Sequence, residues 1–231
     1  MSDILLEAIY TRDVDRLAAL LAAGADPNED GKPRYPLYES GRQFPLQAAI
    51  GALQAREAIG PYGPEPAGSI DAVVLLLRHG AKVKGWDVNT EGDPLYIAVV
   101  MNHIETVRLM LAAGADPNIC DDEGGSPLCF CAENGYLEIA RLLLQCGANK
   151  TIHEGGGPAG MNALGFAATR LNVEMVKLLL AHGADPLVGD ADDITVFERL
   201  QFTVELGRVP EDPAAQERLR EIRALLGDPP A

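Results

Sequence analysis

Residues 121–150 read DDEGGSPLCFCAENGYLEIARLLLQCGANK. A polar turn leads into Pro127, an apolar run to Ala132 meets a reversal at Gly135, and Leu142-Leu143-Leu144 runs out at Gly147. This order of residues predicts a turn, a short helix, a tight reversal, a longer helix and a stop. Pro127 suits a first helical position, where its missing N–H costs nothing and its φ is already helical. Ser126, just before it, can cap the helix by accepting from a free backbone N–H. Leu128 and Ala132 are four apart and share a helical face. Gly147 ends the second helix in a left-handed conformation at little cost. The same ending recurs at Gly24, Gly80, Gly114 and Gly183, with intervals of 56, 34, 33 and 36 residues along the series. A regular period with this content predicts an all-α solenoid of stacked helix pairs, joined by hairpin-like loops and sharing one core.

Working outward from the regular copy, the chain divides into units at about 1–28, 29–84, 85–118, 119–151, 152–187 and 188–227, read together as one repeat domain over 1–231. The first unit starts directly on a helix, with Asp3 as its expected cap. The second is swollen by insertions at about 29–44 and 53–67, which account for the long first interval. Prolines and glycines in PYGPEPAG rule out a continuous helix across the later insertion. The fifth unit carries Asn162-Ala163 where the fourth has Ser126-Pro127. The sixth departs further: a bulky helix over about Thr195–Leu206 and a last helix opened by Asp212-Pro213 form a closing cap, and residues 228–231 form a disordered tail.

The pattern resembles the ankyrin repeat. The match runs through Asp121, Gly124, Ser126, Pro127, Leu128, Ala132, Gly135, Leu142, Leu143, Leu144, Gly147, Ala148 and Asn149, and the resemblance extends from about Asp3 to Leu187. It implies a protein-binding module without chemistry, whose hairpin tips and first helices form a concave contact face. Positions matching the family's variable contact sites are Asn89, Thr90, Val100 and Met101 in the third unit. In the fourth they are Asp122, Glu123, Glu133 and Asn134, and in the fifth Met161, Thr169 and Arg170. Trp86, in the third hairpin, is the anchor candidate, since large aromatic side chains dominate interface energetics; packing beneath the second hairpin is the alternative. Arg34, Tyr35, Tyr38 and Arg42 in the second hairpin combine arginine with aromatic rings, a mixture suited to protein recognition, or they fold the insertion onto its neighbour.

Composition narrows the partner. A formal charge of −15 and a pI near 4.6 disfavour nucleic acid and anionic membrane. Acids outnumber bases six to one from Asp116 to Arg141 and five to none from Asp185 to Glu198. A protein partner with a basic or mixed surface is the natural complement, and a dedicated inhibitor or immunity-type protein for one basic enzyme or toxin is a sharper version. The free chain is expected to be a monomer. The sequence shows no secretory leader and no apolar run long enough to span a bilayer. Its four cysteines, Cys120, Cys129, Cys131 and Cys146, crowd into one unit rather than stapling distant ones, which fits a reducing cytosol.

Catalysis and metal binding are expected to be absent, and no cofactor is expected. His79 and His182 share one repeat position, and His103 takes another repeat position; His153, in the fifth hairpin, reads as a surface residue. Cys129 and Cys131 are two apart on a helix and face different ways, and Cys131 takes a small buried position. Gly155–Gly157 lacks the Lys-Ser/Thr of a phosphate loop and reads as a flexible hairpin tip. An enzyme or metal site built on the second unit's insertions is the remaining alternative, and they supply only Glu57, Glu65 and a few other candidates.

Overall fold

Proline at the first turn opens four of the helices, behind Phe44, Asp93, Ser126 and Asp212. The computed structural model describes residues 2–32, 42–55, 67–84, 92–120, 124–157 and 159–227. Among them lie α1 (Ser2–Tyr10), α2 (Val14–Ala22), α3 (Pro45–Gly51), α4 (Ile70–Arg78), α5 (Pro94–Val100) and α6 (Ile104–Ala112). These are followed by α7 (Pro127–Asn134), α8 (Leu137–Gln145), α9 (Ala163–Thr169), α10 (Val173–Ala181), α11 (Val196–Glu205) and α12 (Pro213–Leu226). The fold is an all-α repeat solenoid. Asp3 is not the cap of α1 but lies in its first turn, and its Oδ1 accepts from the Lys32 N–H at 3.0 Å, tying the helix to the second hairpin.

The chain forms two compact units, Met1–Asp116 and Pro117–Ala231. In the first, α1, α3 and α5 pack side by side as an inner row, and α2, α4 and α6 form the outer row behind them. In the second, α7, α9 and α11 repeat the inner row, while α8, α10 and α12 repeat the outer. Inner helices approach closely because one position on each stays small. Ala8, Ala49, Ala98, Cys131 and Ala167 all occupy it, and all are buried. Cys131 is therefore a core residue at 0% exposure, and burial pushes its thiol well above the usual cysteine range. In the sixth repeat the buried Leu200 takes this position.

The reversal between the helices of a pair needs a left-handed residue, and Arg12, Asn102, Gly135 and Leu171 supply it at φ of 57°, 51°, 75° and 56°. Only Gly135 does so without Cβ strain. Gly135→Ala should lower the stability of the second unit by about 1 kcal/mol, measured as a drop in the denaturation midpoint.

Among the described residues, two connections between successive pairs are closed by antiparallel bridges, Gly31 to Gln43 and Gly155 to Asn162. The fifth hairpin corrects the expectation of a flexible glycine tip. A Cβ on Gly124 would lie 2.6 Å from the Gly155 carbonyl oxygen, one on Gly155 would lie 2.7 Å from the Ala191 nitrogen, and one on Gly160 2.5 Å from Asp192 Oδ2. Gly156 and Gly160 are buried. These glycines permit close nesting of consecutive hairpins. The larger part of each second-unit insertion and the expected C-terminal tail fall outside the described residues.

Among the described residues, three polar side chains also tie a hairpin root to the backbone that follows the next helix pair. Asn28 Oδ1 accepts from the Lys82 N–H at 2.8 Å while its Nδ2 donates to the Gly80 carbonyl. Asn118 Oδ1 accepts from the Lys150 N–H at 3.2 Å. His153 Nε2 accepts from the Asp185 N–H at 2.9 Å, which gives that histidine a structural task.

Candidate partner-binding surface

Helix ends place the described candidates. Glu133 and Asn134 form the last turn of α7, Thr169 ends α9, and Arg170 follows as its cap. The inner row sets α7 against α9, so Arg170 Nη2 reaches Glu133 Oε1 at 3.2 Å. Both side chains are well exposed, so this ion pair orients them and contributes at most about 1 kcal/mol. Asn134 Nδ2 donates to the Phe130 carbonyl one turn back at 2.9 Å. Thr169 Oγ1 donates to the Gly165 carbonyl at 2.8 Å and lies 3.9 Å from Met161 Sδ. Met161, Thr169 and Arg170 line one open groove, which continues onto α11 and the turn after it.

In the compact unit Met1–Asp116, Val100 closes α5 with a partly exposed side chain. Met101 caps that helix, and its carbonyl accepts from Gln54 Nε2 at 2.8 Å. Arg42, at the root of the second hairpin, is ion-paired with Asp30. Trp86, Asn89, Thr90, Asp122, Glu123, Arg34, Tyr35 and Tyr38 lie outside the described residues.

The acidic run from Asp185 to Glu198 is less free than its composition implies. Asp190 Oδ2 accepts from Arg199 Nε at 2.7 Å and Asp192 Oδ2 from Arg199 Nη2 at 2.5 Å. Asp190 Oδ1 takes the backbone N–H groups of Asp192 and Ile194 at 3.0 and 3.3 Å. Glu198 forms a capping box with Thr195, and the Thr195 N–H holds its carboxyl below the usual range. A base one residue past the run pairs with two acids, and a helix start uses a third. Repeat register alone could not show this, because Arg199 belongs to a helix that departs from the pattern.

His103 serves as an N-cap: its Nδ1 accepts from the Thr106 N–H at 3.3 Å. Cys129 is buried, with its Sγ donating to the Glu154 carbonyl at 3.3 Å, and the four cysteines are free thiols. Among the described residues, no three of His, Cys, Asp and Glu converge as a metal site would need, and no helix is long and apolar enough to cross a membrane.

A family model described as ankyrin repeats, in three copies, matches residues 111–190, and a single ankyrin repeat model matches 93–122. Residues 93–190 are ankyrin repeats. No curated protein matches the chain. Ankyrin repeats are protein-interaction units, and they are generally non-catalytic. Residues 93–190 include α5 to α10 and most of the described contact positions, so the ankyrin character coincides with the candidate surface. Phe202, Leu206, Arg208 and Arg218, which share the groove with Met161 and Arg170, were not among the contact positions transferred from the ankyrin pattern. Their signal was local: two large apolar residues four apart at the end of α11, followed by arginines.

Proposed function

We propose that this protein binds a partner protein of mixed surface charge through the hairpin and first-helix face of its second unit, where Glu133, Asn134, Met161, Thr169 and Arg170 gather. The observation that carries this reading is the joining of candidates from two consecutive repeats by the Glu133–Arg170 ion pair, beside the groove that Met161, Thr169 and Arg170 line. A face built by adjacent rigid helices offers pre-organised contacts, which lowers the entropic cost of association. Val100 and Met101 hold the corresponding turn of the third repeat and are proposed as contacts there. The −15 charge favours fast, salt-sensitive encounter with basic regions of such a partner.

The test is affinity capture by the tagged full chain, with quantitative mass spectrometry of what is retained. Asn134→Lys combined with Thr169→Lys should abolish capture of the stoichiometric partner, whereas Gln145→Lys, on the exposed outer side of α8, should leave it intact. The reverse pattern would move the interface to the outer row.

A further inference from the structure

Base is scarce in this chain, with 19 lysines and arginines against 34 acids, yet one groove in the second unit collects four arginines. Arg170, Arg199, Arg208 and Arg218 surround an open cleft of about 650 Å³, and its lining includes no acidic side chain. Two of these guanidinium groups have partners, Arg170 on Glu133 and Arg199 on Asp190 and Asp192. Arg208 and Arg218 are exposed and make no ion pair among the described residues. Between the charges lies apolar surface: Phe202 on α11 is 46% exposed and Leu206, the C-cap one turn on, 63%. Capping repeats generally turn a polar outer face to solvent, so two large bare side chains at the end of the last inner helix call for an occupant.

The groove is also held in shape. Gly207 ends α11 at φ 64°, which lets the Arg208 N–H bond the Thr203 carbonyl at 3.0 Å. Gln216 Nε2 on α12 donates to the Pro210 carbonyl at 3.0 Å and anchors the turn between the two helices. Thr203 Oγ1 bonds back to the Arg199 carbonyl at 2.8 Å. The unpaired arginines thus leave well-anchored backbone rather than a loose loop.

We propose that this groove docks a short acidic peptide segment of the partner protein, with a large apolar side chain seated against Phe202 and Leu206 and flanking carboxylates on Arg208 and Arg218. This rests on the protein-binding reading above and names the chemistry of one part of that partner. Guanidinium groups match carboxylates in planar two-point contacts, and an apolar anchor between charges is what the cleft's alternation of Phe, Leu and Arg accommodates. A nucleic acid strand meets the same arginines, but the remainder of a −15 molecule repels an extended polyanion. A short peptide leaves the groove within a few residues.

The probe is fluorescein-labelled acetyl-DELFDE-amide, titrated with the full chain and followed by anisotropy, beside acetyl-KKLFKK-amide and a labelled oligouridine. Saturable binding of the acidic peptide alone is expected. It should weaken about tenfold or more in Arg208→Glu with Arg218→Glu, a change that breaks no ion pair. Leu206→Asp should weaken it as well, and circular dichroism melts should show that all variants stay folded. Equal binding of the basic peptide, or binding that survives both sets of changes, would overturn the proposal. So would tighter binding of oligouridine lost on the same changes, or concentration-dependent self-association abolished by them, since the occupant would then be RNA or a second copy. Partner capture that is lost on Asn134→Lys with Thr169→Lys, while the acidic peptide does not bind, removes this inference and leaves the interaction face standing. Capture lost only on outer-row changes removes the face itself.

Discussion

Arg199→Met is expected to destabilise the second unit by about 3 kcal/mol, the usual scale for removing one partner of a buried ion pair. Asp190 would be left with a side chain only 2% exposed and just two backbone N–H donors for its charge. Asp192 would lose its counter-charge too, but it is largely exposed and contributes little. Pairing the change with Asp190→Asn should recover much of the loss, because an amide oxygen can still accept from Asp192 and Ile194 without a buried charge. Chemical denaturation of the four members of this cycle measures the coupling. Equal, additive losses would show that Arg199 acts through packing of its stem rather than through charge.

Asp93→Asn should act in the opposite direction. Asp93 caps α5, its Oδ1 accepting from the Leu95 and Tyr96 N–H groups at 2.8 and 3.4 Å. Burial pushes its carboxyl up from 3.8 to about 6, the two backbone donors pull it back, and nearby Asp116 adds to the rise. Between those values the folded chain binds more protons than the unfolded one, so this group's contribution to stability falls as pH rises through the window. Above about pH 6 the folded state bears the full cost of a partly buried charge. Asparagine preserves the cap and removes that cost. The variant should therefore exceed the parent by about 1–2 kcal/mol at pH 7.5, a discounted value because the site is partly open to solvent. The gain should shrink towards zero near pH 4. Denaturation of both proteins across that range decides it, and a gain independent of pH would show that burial of the charge is not its origin.

Helix positions were legible in the sequence because each rests on local chemistry. Pro127 behind Ser126, Pro94 behind Asp93 and Pro213 behind Asp212 mark starts wherever they occur, and the turn glycines mark stops. Asn162 replaces serine at the fifth start and caps equally well, its Oδ1 accepting from the Gly165 N–H at 2.9 Å. Tertiary partners were less legible. Nothing adjacent to Asp3 in sequence announces Lys32, and nothing around Gly155 reveals that Ala191 of the neighbouring hairpin occupies the space a side chain there would need. The candidate surface divides the same way. Glu133 and Arg170 could be placed by repeat register, whereas the arginine groove lies partly on a divergent repeat for which register supplies no template. Its residues come together only when α11, the turn after it and α12 are folded.

Asn28 and Asn118 each hold a backbone N–H at the far end of the following repeat, and His153 holds one at the far end of its own. Apolar packing between near-identical helix pairs, rich in leucine and alanine, is forgiving: one pair could slide along the next with modest loss. A directed hydrogen bond to one particular amide is not forgiving, because a shift of a single residue presents the wrong group at the wrong angle. The ladder therefore works as a set of bolts that locks the phase between successive repeats. It confers uniqueness of alignment, a property distinct from strength, and it keeps the binding side chains of neighbouring repeats in step.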